Sequence, residues 1–257
     1  LATALALLND GRAVTVIDAG RIGGGASHGN CGTLTPSHAP PLAAPGTIAK
    51  AMRCNERDWE ASARAKYTML ADSRLRIQRW IEDYSLDCDF VASGEDYVFR
   101  DGRAMQREMH EIPLLRDLGI DVELIDGADY EAQEPALKPG VAGAIRFSGD
   151  AALRPDRYVA ELARVVRERG GQVVEGFALH ALEANNDGVV AVTAQGTLRA
   201  RDAVIATGAW SPRMAREIGL PWLRKAIQPG KGYSMTYSRP ALVPKRPMIL
   251  HGPSVCV

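Results

Sequence analysis

A chain of 257 residues can bury a substantial core, in one large domain or two smaller ones. Thirty-one basic and thirty-one acidic side chains cancel, which removes any net attraction toward nucleic acid or an anionic membrane. The four cysteines, Cys31, Cys54, Cys88 and Cys256, form neither a Cys-x-x-Cys pair nor a zinc spacing, so they read as isolated thiols of a reducing compartment and no metal site is expected.

Leu1, Ala4, Leu5 and Leu8 recur at helical spacing and Asp10-Gly11 supplies a stop, which predicts a helix over residues 1–9. Val14, Val16 and Ile17 then form a compact β-branched run with the character of a buried parallel strand, ending in Asp18. The following "RIGGGASHGNCG", residues 21–32, holds five glycines in twelve positions but fails the dinucleotide spacing Gly-x-Gly-x-x-Gly. His28 stands where Gly23-x-Gly25 needs its third glycine, and Ala26 interrupts the alternative that starts at Gly24. If Asp18 is the ribose-binding acid of such a unit, the fingerprint lies about twenty residues upstream, before Leu1. The chain is then expected to begin inside a strand, glycine loop, helix, strand unit; an ordinary helix and strand with an acidic end is the alternative.

Four prolines between Pro36 and Pro45 exclude regular helix and central strand there, leaving an ordered loop or a linker. Residues 48–84 predict a helix with Met69, Ile77, Trp80 and Ile81 on its buried face and interleaved charges on a solvated one. "CDFVASGEDYVFRD" reads as a hairpin turning at Ser93-Gly94, Met105 to Leu118 as a helix ended by Gly119, and "IDVELID" and "GAIRFSGD" as strands. Asp150 reads as a turn residue rather than a general base. The clearest helix is "RPDRYVAELARVVRERGG", with Pro155 at its start and Val159, Leu162 and Val166 on one face. Three strand-like stretches follow, "QVVEGFALHAL", "GVVAVTAQ" and "TLRARDAVIATG". The alternating strand and helix pattern thus flanks a strand-rich insertion, which implies an α/β unit and an α+β unit threaded discontinuously: 1–48 with 149–214, and 49–148 with 215–257. No apolar run approaches the roughly twenty residues needed to span a bilayer.

"DAVIATGAWS", residues 202–211, reads as a buried strand running into Thr207-Gly208, where a glycine lets the backbone approach a ligand. With "GGGAS" upstream, "EPAL" at Glu134 to Leu137 and "PGKGYSMT" downstream, the chain resembles the FAD-dependent amine oxidoreductases of the D-amino-acid oxidase family, and within it the D-amino-acid dehydrogenases. The resemblance implies a Rossmann-like FAD-binding domain with a discontinuous, mixed-sheet substrate domain. It implies that Asp18 accepts from the adenosine ribose, that Arg21 lies by the adenine, and that the amides of Gly25, Ala26 and Ser27 approach the pyrophosphate. Asn30, Gly32 and Thr33 would continue toward the flavin ring, Leu179 would hold adenine through its backbone, and Ala206, Thr207 and Gly208 would close over the ribityl side.

The resemblance also implies a family segment beyond Val257 that returns to the flavin and binds the substrate carboxylate. On the substrate side Lys231, Tyr233 and His38 are candidates, each with a plain alternative: a solvated loop lysine, a packing tyrosine, a structural histidine. The implied reaction is oxidation of a D-amino acid to a 2-oxo acid and ammonia, with electrons passed to a quinone or carrier and a cytoplasmic location, peripheral on the inner face of the cell membrane. A peroxide-forming oxidase of glycine or sarcosine type and a non-catalytic binding remnant are the competing readings.

Overall fold

The computed structural model describes residues 1–40, 56–215, 218–252 and 255–257. In chain order these form α1 (Ala2–Asn9), β1 (Thr15–Ile17), β2 (Thr33–Leu34), α2 (Glu56–Tyr84), β3 (Glu95–Phe99), α3 (Gly102–Glu108), α4 (Ile112–Asp117), β4 (Val122–Asp126), α5 (Gly127–Gln133) and β5 (Gly143–Phe147). There follow β6 (Ala151–Ala152), α6 (Pro155–Glu168), β7 (Gln172–Val174), β8 (Leu179–Asn185), β9 (Gly188–Thr193), β10 (Gly196–Ala200), α7 (Ser211–Met214), α8 (Leu223–Ala226), β11 (Met248–Leu250) and β12 (Val255–Cys256). The chain divides into two compact units, Leu1–Gly29 with Val159–Met235 and Asn30–Tyr158 with Thr236–Val257. Asn30, Gly32, Thr33 and His38 therefore belong to the second unit, and Lys231 and Tyr233 to the first.

In the first unit β1 and β7 pair in parallel, Thr15 with Gln172 through Ile17 with Val174. Leu5 of α1 and Leu162, Val165 and Val166 of α6 are buried, as their helical spacing requires. Gly171 permits this packing, since a Cβ there would come within 2.8 Å of Val166 Cγ1 and 2.9 Å of Leu8 Cδ1. Strands β8, β9 and β10 form an antiparallel meander whose turns use Gly188 and Gly196 at positive φ.

Two strand expectations change here. The stretch 172–182 is broken at Gly176, which adopts φ +71° and donates to the Gly20 carbonyl at 3.1 Å, while the Phe177 amide donates to the Asp18 carbonyl at 2.8 Å. The chain thus wraps the carboxyl end of β1 before β8 begins. Residues 202–206, expected as a buried strand, have no ladder partner among the described residues, and Val204 is exposed. An apolar run without a neighbouring strand cannot satisfy its amides as a strand.

The second unit is built on a mixed sheet in the order β12-β11-β3-β5-β4, with β11 parallel to β3 and the remaining pairs antiparallel. Phe99, Ile145 and Phe147 face a core closed by Ile112, Leu115 and Ile120, while Val98, Ala144 and Met248 face Ile125, Tyr130 and Val141. Burial on both faces makes β3 a central strand, and this overturns the hairpin expected at Ser93-Gly94: Glu95 to Phe99 pair with β5 and β11, and Val91 only bridges Ala152. The helix expected from Met105 to Leu118 is interrupted, because Pro113 in the first turn of α4 has no amide hydrogen to continue the ladder from α3. Helix α2 buries Trp59 and Ala63 rather than Met69, which is exposed; the expected start of this helix at 48–55 and the prolines at 41 and 45 lie outside the described residues. Among the described residues Cys31, Cys88 and Cys256 form no disulfide. Among the described residues no helix is long and apolar enough to cross a membrane, and no group of three or more potential ligands stands ready for a metal ion.

Candidate functional site

Asp18 follows directly on the carboxyl end of β1, where open parallel sheets present ligand-binding groups. Its backbone extends the pairing, the amide donating to Val174 at 3.0 Å, and its Oδ1 accepts the Gly20 amide at 2.8 Å. This short turn fixes the carboxylate at the surface, and among the described residues no hydrogen bond is made to Oδ2. On the adjacent strand end, Glu175 Oε1 accepts the Ile22 amide at 2.6 Å and ties the start of the glycine loop to β7. Spacing gave no signal for Glu175; only the parallel register places it beside Asp18.

The loop itself is tightly folded. Gly24 donates to Arg21 at 2.9 Å and His28 to Gly25 at 3.1 Å. Among the described residues the amides of Gly25, Ala26 and Ser27 donate to no protein acceptor, so this turn presents unmatched N–H groups. Gly25 packs closely on Trp210: a Cβ there would sit 3.2 Å from the ring, so the indole would have to give by a few tenths of an ångström. Trp210 in turn donates from its amide to the Thr207 carbonyl at 3.0 Å, and Thr207 Oγ1 meets Ser211 Oγ at 2.8 Å, so the glycine loop and the Thr207-Gly208 turn are brought together. Gly208 adopts φ +51°. Leu179 opens β8 opposite Thr193, just after the wrap around Asp18. A surface carboxylate, a ring of unbonded amides and a glycine turn fit the sugar and pyrophosphate of a dinucleotide.

Lys231 and Tyr233 sit in an extended exposed stretch, the ammonium 5.1 Å from the tyrosine ring centroid, and neither is gathered into a buried site. Ser234 of that stretch packs where a Cβ on Gly29 would be.

In the second unit Asn30 Oδ1 accepts the Gly32 amide at 2.8 Å, and Gly32, at φ +77°, lies against the Leu153 carbonyl, so that no side chain fits. Thr33 begins β2 opposite Ala152. His38 is not a lone loop histidine. Its Nε2 lies 3.0 Å from Glu95 Oε2 and also meets the Tyr97 hydroxyl. Glu95 is fully buried, and its second oxygen has no partner among the described residues. Asp150, expected as a turn residue, is buried as well, its carboxylate accepting both the amide and the hydroxyl of Ser37. Burial pushes Asp150 up to about 6, opposed by the Ser37 hydrogen bonds, and pushes the Tyr97 hydroxyl upward, with Glu95 adding to that rise. Two buried acids, a histidine and a tyrosine within one polar cluster can hold or pass a proton, and a buried carboxyl oxygen without a donor marks a site worth probing.

The family model described as DAO, FAD dependent oxidoreductase, matches residues 1–255. The chain belongs to this family. FAD is the cofactor of the DAO family, as the motifs imply. A D-amino acid dehydrogenase from Granulibacter bethesdensis is 29% identical over 92% of this chain and 64% of its own length, and one from Cereibacter sphaeroides is 29% identical over 91% and 61%. This DAO-family chain therefore spans somewhat less than two thirds of those relatives. Among solved structures, glycine oxidase from Geobacillus kaustophilus superposes with a TM-score of 0.65 at 22% identity, covering 83% of this chain and 54% of that one. L-proline dehydrogenase from P. horikoshii gives 0.62 at 19% identity, covering 83% and 51%. At those identities the superpositions establish the shared fold.

Proposed function

We propose that the protein is an FAD-dependent D-amino-acid dehydrogenase. The observation that carries this reading is the match to D-amino acid dehydrogenases along nine tenths of the chain, in agreement with the ordered motifs at 23–27, 134–137 and 231–236. When bound, FAD supplies a hydride acceptor for the α-hydrogen of the amino acid, leaving an imine that water hydrolyses to a 2-oxo acid and ammonia. Asp18 holds the adenosine ribose through Oδ2, with Arg21 beside the adenine and the Leu179 backbone bonding to it. The amides of Gly25, Ala26 and Ser27 bind the pyrophosphate, and Ala206, Thr207 and Gly208 line the ribityl side. In the second unit Asn30, Gly32 and Thr33 lead toward the ring, and His38, paired with Glu95, stands on the substrate side; Lys231 and Tyr233, in the first unit, are exposed substrate-side candidates. Electrons pass to a quinone or carrier, in a cytoplasmic enzyme associated peripherally with the inner face of the membrane. The domain division follows the discontinuous pattern, with an FAD-binding unit around the β1–β7 pair and a substrate unit around the mixed sheet.

Two measurements test this. The full-length enzyme, given D-alanine or D-proline and a dye under argon, should bleach its flavin and turn over, with little peroxide under air. Fast peroxide formation without dye would favour the glycine or sarcosine oxidase reading, and turnover of L-forms alone would remove the stereochemical claim. Asp18→Ala should weaken FAD binding by about 10- to 150-fold, the loss of a hydrogen bond to a charged acceptor, with kcat little changed at saturating FAD. Asp18→Asn retains an oxygen for the Gly20 turn, so equal losses in both variants would point to the charge, and unchanged affinity in both would leave Asp18 as a turn former only.

A further inference from the structure

The β1–β7 pairing ends at Ile17 and Val174, and the amide of Asp18 on the Val174 carbonyl is its last rung. Beyond that point residues 175–177 close over residues 18–22. Phe177 donates to the Asp18 carbonyl at 2.8 Å, Gly176 donates to the Gly20 carbonyl at 3.1 Å, and Glu175 Oε1 accepts the Ile22 amide at 2.6 Å. The Gly176 carbonyl in turn accepts Gln195 Nε2 at 2.7 Å. Gln195 stands in the β9–β10 turn, where the Thr193 hydroxyl accepts the Gln195 amide at 3.2 Å and donates to the Gly196 carbonyl at 2.8 Å. An unbroken line of hydrogen bonds therefore runs from the meander to the nucleotide turn: Gln195 to Gly176, Gly176 to Gly20, and Gly20 to Asp18 Oδ1.

We propose that Glu175 and Gln195 are positioning residues for the adenosine half of FAD, a role that rests on Asp18 and the glycine-loop amides holding that half. Both side chains are exposed, so their bonds complete no core. Water satisfies such groups nearly as well as a protein partner does. What the two bonds add is fixed geometry, since Gln195 holds Gly176, Gly176 holds the Gly20 carbonyl, and the Gly20 amide sets where the Asp18 carboxylate lies. Glu175 fixes the other end of the turn. Its bond to Ile22 comes immediately before the Arg21–Gly24 turn, closed at 2.9 Å, and the amides of Gly25, Ala26 and Ser27 follow. A loop held beforehand loses less conformational freedom when a ligand orders it, and the difference appears as affinity. All of these residues belong to the first unit, and the β9–β10 turn thereby takes part in cofactor binding through other residues.

The test uses apoprotein of the full-length enzyme, titrated with FAD and with ADP, which carries the adenosine and pyrophosphate without the flavin. Glu175→Ala should raise both dissociation constants by about tenfold and Gln195→Ala by about threefold, for the loss of a bond to a carboxylate and of a bond between neutral amides. Glu175→Gln keeps an oxygen for the Ile22 amide and should stay within about twofold of the unaltered protein. At saturating FAD the visible flavin spectrum should be unchanged in all three variants, because both residues act at the adenosine end. Unchanged ADP affinity in either alanine variant, while Asp18→Ala weakens it, would overturn that residue's role alone. No effect of Asp18→Ala on ADP would overturn both roles together with the assignment of the site. A loss in Glu175→Gln equal to that in Glu175→Ala, or an altered flavin spectrum, would replace positioning by a charge effect or a general loosening and overturn the proposal.

Discussion

Replacing Asp96 by alanine should lower the stability of the protein by about 3 to 5 kcal/mol, the usual cost of stranding one member of a buried ion pair. Asp96 lies on the interior of β3, 2% exposed, and its two oxygens take Arg146 Nε at 2.8 Å and Nη2 at 3.1 Å in a forked pair. Tyr130, fully buried, donates its hydroxyl to the same carboxylate at 2.9 Å. Removing the carboxylate leaves a guanidinium and a phenol without their acceptor inside the core, since Glu123 and Gln133 reach only Nη1 of Arg146 at 3.4 Å. Urea unfolding of the full-length protein measures the loss. A double replacement, Asp96→Leu with Arg146→Met, should recover most of it, because an apolar pair avoids both desolvation penalties. A loss under 1 kcal/mol in Asp96→Ala would mean that water reaches Arg146.

The second large effect is a pH dependence centred on Asp150. Its folded carboxyl, pushed up to about 6 by burial, lies above the ordinary carboxylate value, so between the two the folded state binds more protons than the unfolded one. Stability must then fall as pH rises through that interval, opposite to the usual behaviour of a paired acid. Between pH 4.5 and 7 the contribution amounts to about 2 kcal/mol. Asp150→Asn keeps an oxygen for Ser37 and removes the titration, so its stability relative to the unaltered protein should improve by that amount over the same interval. Paired urea curves at the two pH values isolate the effect from all other carboxyls. An unchanged difference would show that Asp150 ionises at its ordinary pH.

What could be read from residue order was what depends on near neighbours. Pro155, Val159, Leu162 and Val166 announce α6 within fourteen residues, and Val14 to Ile17 followed by Asp18 announce β1 and its acidic end. The mixed sheet was less legible because β3 is completed by β5 and β11, strands far along the chain, and its polar residues Glu95 and Asp96 give no apolar alternation to follow. The same remoteness hid Glu95 behind His38. Glycine spacing suggested a nucleotide loop, whereas Trp210 against Gly25 and Glu175 under Ile22 required coordinates.

The parallel pair β1 and β7 joins residues 157 positions apart, Thr15 and Gln172 among them. During synthesis at roughly 5–20 residues per second, β1 therefore waits about ten to thirty seconds for its partner to be made. The intervening segment can shorten that search by folding first, since its entry and exit are already joined where Leu153 donates to Gly32 at 3.0 Å and β2 pairs with β6. Once that knot of contacts exists, the loop to be closed falls to roughly a quarter of its length, which removes about 1.2 kcal/mol of closure entropy. The glycine at position 32 thus acts in assembly order: it is the pinch that lets a nested segment collapse before the sheet around the nucleotide loop can close.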